Sequence, residues 1–165
     1  PRRRQEMREG KLRHRATYAF VRDSQNYFYV QKRSMLKDFC PGYWDPTPGG
    51  VVAAGESYDE TNRREVEEEM GIPSSSQMEH LFTWLYEDDL CKVYGDAWDI
   101  IYDGPIKLQL TEVDEVEKMS MHEILERSKN GELFTADSID ACKRYVEMKG
   151  LLPVNGDKVD PVLIT

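Results

Sequence analysis

The chain has 165 residues, a length that favours one domain. Asp and Glu outnumber Lys and Arg by 31 to 22, and the formal charge of −9 argues against a general nucleic-acid-binding protein. No apolar run approaches the roughly 18 residues that span a bilayer. Three widely spaced cysteines do not make a disulfide framework. We therefore expect one globular domain in the cytoplasm, with neither nucleic acid nor a membrane as a stable partner.

The basic residues are concentrated near the N-terminus. Residues 1–15 contain seven Lys and Arg against two Glu, a net charge of +5 that leaves −14 on the remainder. We divide the chain into a basic arm at 1–10, a single domain at 11–150 and a tail at 151–165 without clear periodicity. The arm is either a solvated end or a segment that steers an anionic substrate towards its site.

The first third of the chain predicts two strands and a long loop. Residues 17–21 form a continuous apolar run, typical of a strand buried on both faces, and 27–33 predict a second strand. Three prolines and three glycines within 41–50 exclude both a long helix and a central strand there. A short apolar piece at 51–53 follows this loop.

A helix over 57–70 is predicted with defined ends. Ser57 is followed three residues later by Glu60, the pattern of a capping box, and Gly71 stands where a helix commonly ends in the left-handed conformation. Asn62 lies on the helical stripe that should pack against a sheet. Because buried polar groups are normally paired, we expect Asn62 to have a hydrogen-bond partner.

The second half of the chain predicts three more strands and two more helices. The strands lie at 81–86, 92–102 and 115–121. A short helix is predicted at 121–127, and a final helix is capped by Thr135 or Asp137 and ends at Gly150. Interspersed strands and helices favour an α/β or α+β layer fold with a mixed sheet.

Three acids fall on one face of the helix predicted at 57–70. Glu65, Glu68 and Glu69 lie within an arc of roughly 100° at 3.6 residues per turn. Such carboxylates repel one another unless a positive charge lies between them, and a hard divalent cation, Mg²⁺ or Mn²⁺, prefers oxygen ligands. The carbonyls of Gly49 and Gly50 can approach such a cation closely. The alternative is a solvated charged face.

The spacing of this segment resembles the signature of the Nudix hydrolase family. The match holds at all nine defined positions, which are Gly50, Glu56, Arg64, Glu65, Val66, Glu68, Glu69, Gly71 and Ile72. The resemblance implies an α/β/α sandwich with a mixed β-sheet. It also implies hydrolysis, by water with Mg²⁺ or Mn²⁺ as cofactor, of a diphosphate linkage in a nucleoside diphosphate derivative or related organic diphosphate. A monomer or homodimer acting on a small molecule is expected.

The same resemblance assigns roles to individual residues. The three carboxylates that would bind the metal and carry the catalysis are Glu65, Glu68 and Glu69, with Glu68 and Glu69 as the core pair. The Gly49 carbonyl is a further candidate ligand, and Arg64 would pair with Glu56 to brace the loop. The general base varies within the family, so it stays open here between a glutamate of this helix and an acid from a distant loop. A catalytically silent, ligand-binding Nudix-like domain is the alternative function.

A second, broader resemblance is to isopentenyl-diphosphate isomerase. It rests on 14–16 and on the Pro-Gly-aromatic segment at 41–50. The isomerase carries a catalytic cysteine and a metal-binding histidine just after that aromatic residue, whereas 45–49 here contain neither. Isomerisation is therefore disfavoured. Positions that would still supply an additional acid or metal ligand are His14, Glu87 and Asp89. The alternative is that His14 is an ordinary surface or hydrogen-bonded histidine and that 87–89 form a solvated turn.

Two further groups of residues are candidates. Glu112 and Glu115 belong to an acidic cluster before a predicted strand, from which related hydrolases take a base or an extra ligand. Tyr43 and Trp44 adjoin the glycine-rich loop, where they would contact the substrate or, alternatively, pack in the core. The sequence does not identify the group joined to the diphosphate.

Overall fold

The computed structural model describes residues 4–151 and arranges them as a six-stranded mixed sheet with helices on both faces. The elements in chain order are α1 (Arg4–Glu9), β1 (His14–Arg22), β2 (Phe28–Arg33), β3 (Trp44–Asp45), α2 (Tyr58–Met70), β4 (Glu79–Glu87), β5 (Lys92–Ile101), β6 (Val113–Met119), α3 (Met121–Lys129) and α4 (Ala136–Lys149). The predicted α+β sandwich with a mixed sheet is confirmed.

The sheet is built around β1. This strand pairs in parallel with β5 along its full length, from His14 opposite Val93 to Arg22 opposite Ile101. On its other edge it pairs with β2 only where Arg22 faces Phe28, and the two strands then separate. β2 continues between β6 and β3, both antiparallel to it, and β4 runs antiparallel to β5. The sheet therefore has a gap beside β1.

Both faces of β1 are buried, as its continuous apolar sequence predicts. Ala19 and Val21 pack in a cluster with Val66 and Met70 of α2. Phe20 points to the opposite face, where it belongs to a larger cluster that includes Tyr145 of α4. Alternation of side chains along a strand places successive residues on opposite faces, so one strand supports both helical layers.

The ends of α2 follow the sequence prediction. The Ser57 hydroxyl accepts a hydrogen bond from the Glu60 backbone N–H at 3.2 Å, and the Glu60 carboxylate accepts one from the Ser57 N–H at 2.9 Å. Gly71 adopts φ 69° and donates its N–H to the Glu67 carbonyl. Both ends are determined by local chemistry.

Other elements differ from the predictions in extent. β3 is a two-residue strand inside the Pro- and Gly-rich segment, where no strand was predicted, and the 51–53 piece contributes one bridge, between Val51 and Ala16. Part of the basic arm forms the short helix α1, which the sequence did not predict. Thr135 precedes α4, but its side chain makes no capping bond. Residues 1–3 of the arm and 152–165 of the tail lie outside the described residues.

Within residues 4–151, no helix is long and apolar enough to cross a bilayer.

Asn62 departs from the expectation of a good partner. Its amide nitrogen lies 3.3 Å from the Met78 sulfur, a weak acceptor, and its buried carbonyl oxygen has no hydrogen-bond partner among the described residues. The neighbouring Thr61 is also fully buried, but its hydroxyl donates to Glu56 at 2.8 Å.

These two neighbours give a matched pair of substitutions. Asn62→Leu, which keeps the side-chain volume, should leave the free energy of unfolding unchanged or raise it by about 1 kcal/mol, because it removes an unpaired buried oxygen without opening a cavity. Thr61→Val should lower it by about 1 kcal/mol, because it removes one of the two side-chain donors to the Glu56 carboxylate, the other being Arg64. Urea unfolding of the two variants measures both values. A larger loss for Asn62→Leu than for Thr61→Val would contradict this account.

Candidate active site

The last part of the Pro- and Gly-rich segment, residues 46–50, fills the gap beside β1, and we refer to it as the glycine-rich loop. Ala19 donates its backbone N–H to the Pro48 carbonyl at 2.8 Å, and Thr17 donates its N–H to the Gly50 carbonyl at 3.0 Å. Successive carbonyls of an extended segment point in opposite directions, so the Gly49 carbonyl faces away from β1. One edge of the loop is therefore hydrogen-bonded to β1 as a strand would be, and the Gly49 carbonyl lies on the opposite edge.

Close contacts with neighbouring atoms explain why residues 49 and 50 are both glycine. A Cβ at residue 49 would lie 2.0 Å from the Thr17 carbonyl oxygen, and a Cβ at residue 50 would lie 2.4 Å from the Glu65 carboxyl carbon. The first contact is with rigid backbone, and the second is with the end of an acidic side chain. Glycine at these positions brings the loop against the sheet and against α2 at once.

A cavity of about 230 Å³ opens beside this loop. Its wall combines the loop and the acidic face of α2 with cationic and polar side chains from the other elements. The lining residues include His14, Tyr18, Arg33, Lys37, Asp45, Thr47, Gly49, Gly50, Arg64, Glu65, Glu68, Glu69, Glu112, Thr135, Asp137 and Ser138.

The three carboxylates of α2 all line the cavity but differ in exposure. The Glu65 side chain is 13% exposed and the Glu68 side chain 51%. Glu69 is buried, with 6% exposure. The helix therefore presents two enclosed carboxylates and one that solvent reaches.

Arg64 forms ion pairs both with Glu56, in the segment just before α2, and with carboxylates of α2. Its guanidinium lies 3.0 Å from the Glu56 carboxylate, 2.8 Å from Glu65 and 3.6 Å from Glu68. Hydrogen bonds from the Thr61 hydroxyl and from Arg64 hold the pKa of Glu56 below its ordinary value. Arg64 therefore pairs with the ionised Glu56 and also offsets part of the negative charge on α2.

Among the three carboxylates of α2, Glu69 is the one whose ionised form is most strongly disfavoured. Burial and the neighbouring Glu65 raise its pKa to about 8, although Lys37 and Arg33 act in the opposite direction. A buried acid next to a second acid accepts a proton or a cation more readily than either acid in water. The pair therefore has the charge and the donor type that suit a hard divalent metal ion.

The carboxylates do not form a complete metal-binding group as they stand. Among residues 4–151, no three His, Cys, Asp or Glu side chains come together in such a group. Arg64 contacts both Glu65 and Glu68 and offsets part of their negative charge. Glu65 and Glu69, with the open Gly49 carbonyl, are the donors that fit a cation here, and Glu68 is the most exposed acid beside them.

Of the four acids predicted to assist from outside α2, one lines the cavity and three do not. Glu112 lines the cavity and forms an ion pair with Lys37. Glu115 instead lies on β6 opposite Lys32 and is not part of the cavity wall. Glu87 pairs with Arg13 at 2.7 Å, and Asp89 is exposed in the following turn; neither of them lines the cavity.

His14 and the two aromatic candidates also fall in different places. His14 lines the cavity, and its Nδ1 lies 3.2 Å from the Leu12 carbonyl oxygen. Trp44 is buried in the larger core cluster, and Tyr43 is half-buried. Neither aromatic side chain lines the cavity, so the structure favours the core alternative for Trp44 and offers no substrate contact for Tyr43.

Sequence reasoning missed the residues that face α2 across the cavity. Arg33 ends β2 and Lys37 follows it in the next loop, while Asp45 lies on β3 and Asp137 begins α4. Nothing in their local sequence marks them as site residues. A polar Asp45 beside Trp44 was the one available signal, because Asp is uncommon in a buried strand.

Comparison with known proteins places this chain in a family. Residues 12–142 match the family model described as the NUDIX domain. An uncharacterized Nudix hydrolase of Yersinia pestis is 45% identical over 143 residues, which cover 87% of this chain and 76% of that protein. The uncharacterized Nudix hydrolase YfcD of Escherichia coli K12 is 44% identical over 144 residues, 87% of this chain and 78% of YfcD. The structure of DR0079 from Deinococcus radiodurans matches with a TM-score of 0.73 at 24% identity, over 79% of this chain and 82% of that one.

The fold and the carboxylate-lined cavity are those of an enzyme that acts on phosphate-bearing small molecules. The match to the family model spans most of the chain, and the chain belongs to the Nudix family. The protein is accordingly a hydrolase, and members of this family in general cleave diphosphate linkages with the help of divalent metals.

The two loop glycines should respond differently to alanine. Gly49→Ala places a methyl group against backbone that cannot move, so we expect the free energy of unfolding to fall by about 2 kcal/mol or more. Gly50→Ala meets only the Glu65 carboxylate, which can rotate, so it should reduce activity more than stability. Thermal unfolding and turnover of both variants test the distinction. A fully stable Gly49→Ala protein would contradict the loop geometry described here.

The raised pKa of Glu69 makes the stability of the metal-free protein depend on pH. An acid whose pKa is about 8 in the folded state and 4.5 in the unfolded state stabilises the fold fully below pH 4.5, and this stabilisation is lost as pH rises through 8. With a chelator present, wild type should lose at least about 1 kcal/mol more than Glu69→Gln between pH 5 and pH 8. Urea unfolding at the two pH values measures the difference. Parallel losses in the two proteins would show that Glu69 does not titrate in this range.

Proposed function

We propose that the protein uses Mg²⁺ or Mn²⁺ to hydrolyse a diphosphate linkage in a nucleoside diphosphate derivative or a related organic diphosphate. The observation that carries this proposal is the pairing of buried Glu69 with Glu65 beside the open Gly49 carbonyl. These oxygens are mutually repelling and face a cavity, so they favour a bound cation. When bound, a divalent cation neutralises phosphate charge and lowers the pKa of water.

The cations across the cavity suit the other charges of such a substrate. Arg33 and Lys37 line the same cavity as the carboxylates of α2, and both favour the ionised form of Glu69 by lowering its pKa. Each already has an acidic neighbour, Asp45 for Arg33 and Glu112 for Lys37. A diphosphate that enters between the two sides can exchange these contacts for contacts with phosphate oxygens, which guanidinium and ammonium groups bind well.

Two acids are candidates to accept the proton of the attacking water. Glu68 is half-exposed and lines the cavity, so it is the acid of α2 that is most open to water. Glu112 is the second candidate, because it also lines the cavity, where it forms an ion pair with Lys37. A carboxylate needs only hydrogen-bond reach of the water to act as a base. Arg64 then acts by orientation, since it links Glu56 to the acids of α2.

Replacement of Glu68 tests the proposed reaction. Glu68→Gln should lower kcat by at least about 10²-fold while the Tm stays within a few degrees of wild type, because this exposed side chain has little part in packing. The measurement is phosphate and pyrophosphate release with Mg²⁺ or Mn²⁺ on a panel of nucleoside triphosphates, nucleotide sugars, dinucleoside polyphosphates and prenyl diphosphates. Glu67→Gln is the matched control, because Glu67 is exposed on the same helix and does not line the cavity.

The outcomes separate the enzyme from a silent binding domain. Metal-dependent turnover that is lost in Glu68→Gln and kept in Glu67→Gln supports the proposal. Full activity in Glu68→Gln would overturn the site assignment. Binding of a panel member without any turnover by wild type would instead favour the ligand-binding alternative. Glu112→Gln in the same assay distinguishes the two candidate bases, because the true base should show the larger loss in kcat.

A further inference from the structure

Two lysines line the cavity at the end that lies beside the start of β1 and the turn between β4 and β5. Lys11 precedes β1 by three residues, and Lys92 is the first residue of β5. We refer to these two residues as the lysine pair. The hydrolysis proposed above uses Arg33 and Lys37 for the diphosphate, so it leaves the lysine pair without a role.

Contacts of neighbouring residues bring the two lysines to the same end of the cavity. β1 begins opposite the second residue of β5, so Lys92 adjoins the start of β1. The Arg13 guanidinium, just before β1, contacts the Glu87 carboxylate of β4 at 2.7 Å. Burial opposes the ionisation of Asp88 in the following turn, but hydrogen bonds and the charge of Lys11 hold its pKa below the ordinary value. Lys11 and Lys92 therefore both lie beside this turn.

Lys92 lacks the acidic partner that its position in the sheet would supply. It stands opposite Glu87 in the antiparallel pairing of β4 with β5. Opposite charges at such positions attract one another, but Glu87 is paired with Arg13 instead. Within residues 4–151, neither Lys92 nor Lys11 forms an ion pair. Both ammonium groups can therefore bind an anion in the cavity.

The backbone at Lys11 provides an independent indication that this side chain has a function. Its φ is 47°, in the left-handed region that favours glycine. The chain turns here at the end of α1, where Leu12 donates its N–H to the Met7 carbonyl at 2.8 Å. Glycine would adopt this conformation without the close contact that a Cβ makes with the following carbonyl oxygen. Lys11 thus contributes a charge to the cavity wall at a position where the backbone alone favours glycine.

The other Lys and Arg side chains that line the cavity already have acidic partners. Arg33, Lys37 and Arg64 each form an ion pair with at least one carboxylate. Because the chain has a formal charge of −9, acids are abundant, and two lysines without ion pairs in one cavity wall favour an anionic ligand. A phosphate monoester has a charge of about −1.5 to −2 at pH 7, which suits two ammonium groups. Its oxygens also accept charge-assisted hydrogen bonds from lysine.

The first residues of β1 separate the lysine pair from the glycine-rich loop. The strand begins at His14, beside the lysine pair, whereas Thr17 is the residue that donates its N–H to the Gly50 carbonyl. Three residues of a strand span about 10 Å. A phosphate on the organic part of the substrate fits this separation better than a further phosphate joined directly to the diphosphate.

We infer that the lysine pair binds an additional phosphate monoester, which the organic part of the substrate carries at a distance from the diphosphate. A diphosphate compound with such a phosphate is then preferred to the same compound without it. This inference rests on the proposed function, because it takes the diphosphate to lie between α2 and Arg33.

Two matched pairs of compounds test the inference: coenzyme A with dephospho-coenzyme A, and NADPH with NADH. The members of each pair share a diphosphate linkage and differ by one phosphate on a ribose. In at least one pair, wild type with Mg²⁺ should hydrolyse the phosphorylated member with kcat/KM at least about tenfold higher. Lys11→Gln and Lys92→Gln should each raise KM for that member by at least about fivefold, with kcat and the reaction of the other member little changed.

Two further variants separate binding from general charge and from folding. Lys143→Gln is the charge control, because Lys143 is exposed on α4 and does not line the cavity, and its KM should equal that of wild type. Lys11→Gly removes the ammonium group but suits the left-handed backbone, so it should raise KM as Lys11→Gln does without lowering the Tm. A wild-type KM in Lys11→Gly would contradict a role for this side chain in binding.

Calorimetric binding of the same four compounds, with Mg²⁺ present, separates the inference from the proposed hydrolysis. If none is hydrolysed but wild type binds the phosphorylated member of a pair more tightly, and the two glutamine variants lose that preference, the phosphate site stands and the hydrolysis fails for these substrates. Equal kcat/KM and equal affinity within both pairs, or no binding of any compound, overturns the inference. Equal losses for both members of a pair in the variants overturn it as well. Thermal unfolding confirms that each variant is folded.

Discussion

Two backbone hydrogen bonds hold the glycine-rich loop against β1, and the active site depends on them. β1 and β2 pair only at Arg22 and Phe28, so the N–H groups of Thr17 and Ala19 would otherwise be buried without partners. Buried backbone groups of this kind are almost always paired. The loop supplies the missing acceptors, and the sheet in return fixes the position of the Gly49 carbonyl. The need to pair the backbone N–H groups of β1, rather than the local conformational preference of the loop, therefore determines where the site lies.

The acidic face of α2 works against the stability of the helix that carries it. Glu65 and Glu69 are enclosed, and their proximity raises the pKa of Glu69. Arg64 offsets part of this repulsion, and the capping box at Ser57 stabilises the start of the helix. The other face of α2 packs on β1 through apolar side chains. A well-capped and well-packed helix can thus retain a charge arrangement that would be unfavourable alone, as is common at functional sites.

The parts of the protein that the sequence predicts well are those determined by local chemistry. Ser57 and Gly71 mark the ends of α2 because their hydrogen bonds involve residues three or four positions away. The carboxylates share one face because helical spacing is fixed. The two-residue β3 was missed because its pairing depends on β2 rather than on its own composition. The hydrogen bond between Ser138 and Asp45 was missed for the same reason, since these two residues lie 93 positions apart in the sequence.

The position of Asp45 links the two halves of the cavity. Its charge contributes to the raised pKa of Glu69 on one side and of Asp137 on the other, so it lies within electrostatic range of both. Arg33 is bound to Asp45 and acts on Glu69 as well. The Arg33–Asp45 ion pair therefore connects the charge of the carboxylates on α2 with that of Asp137 in the first turn of α4.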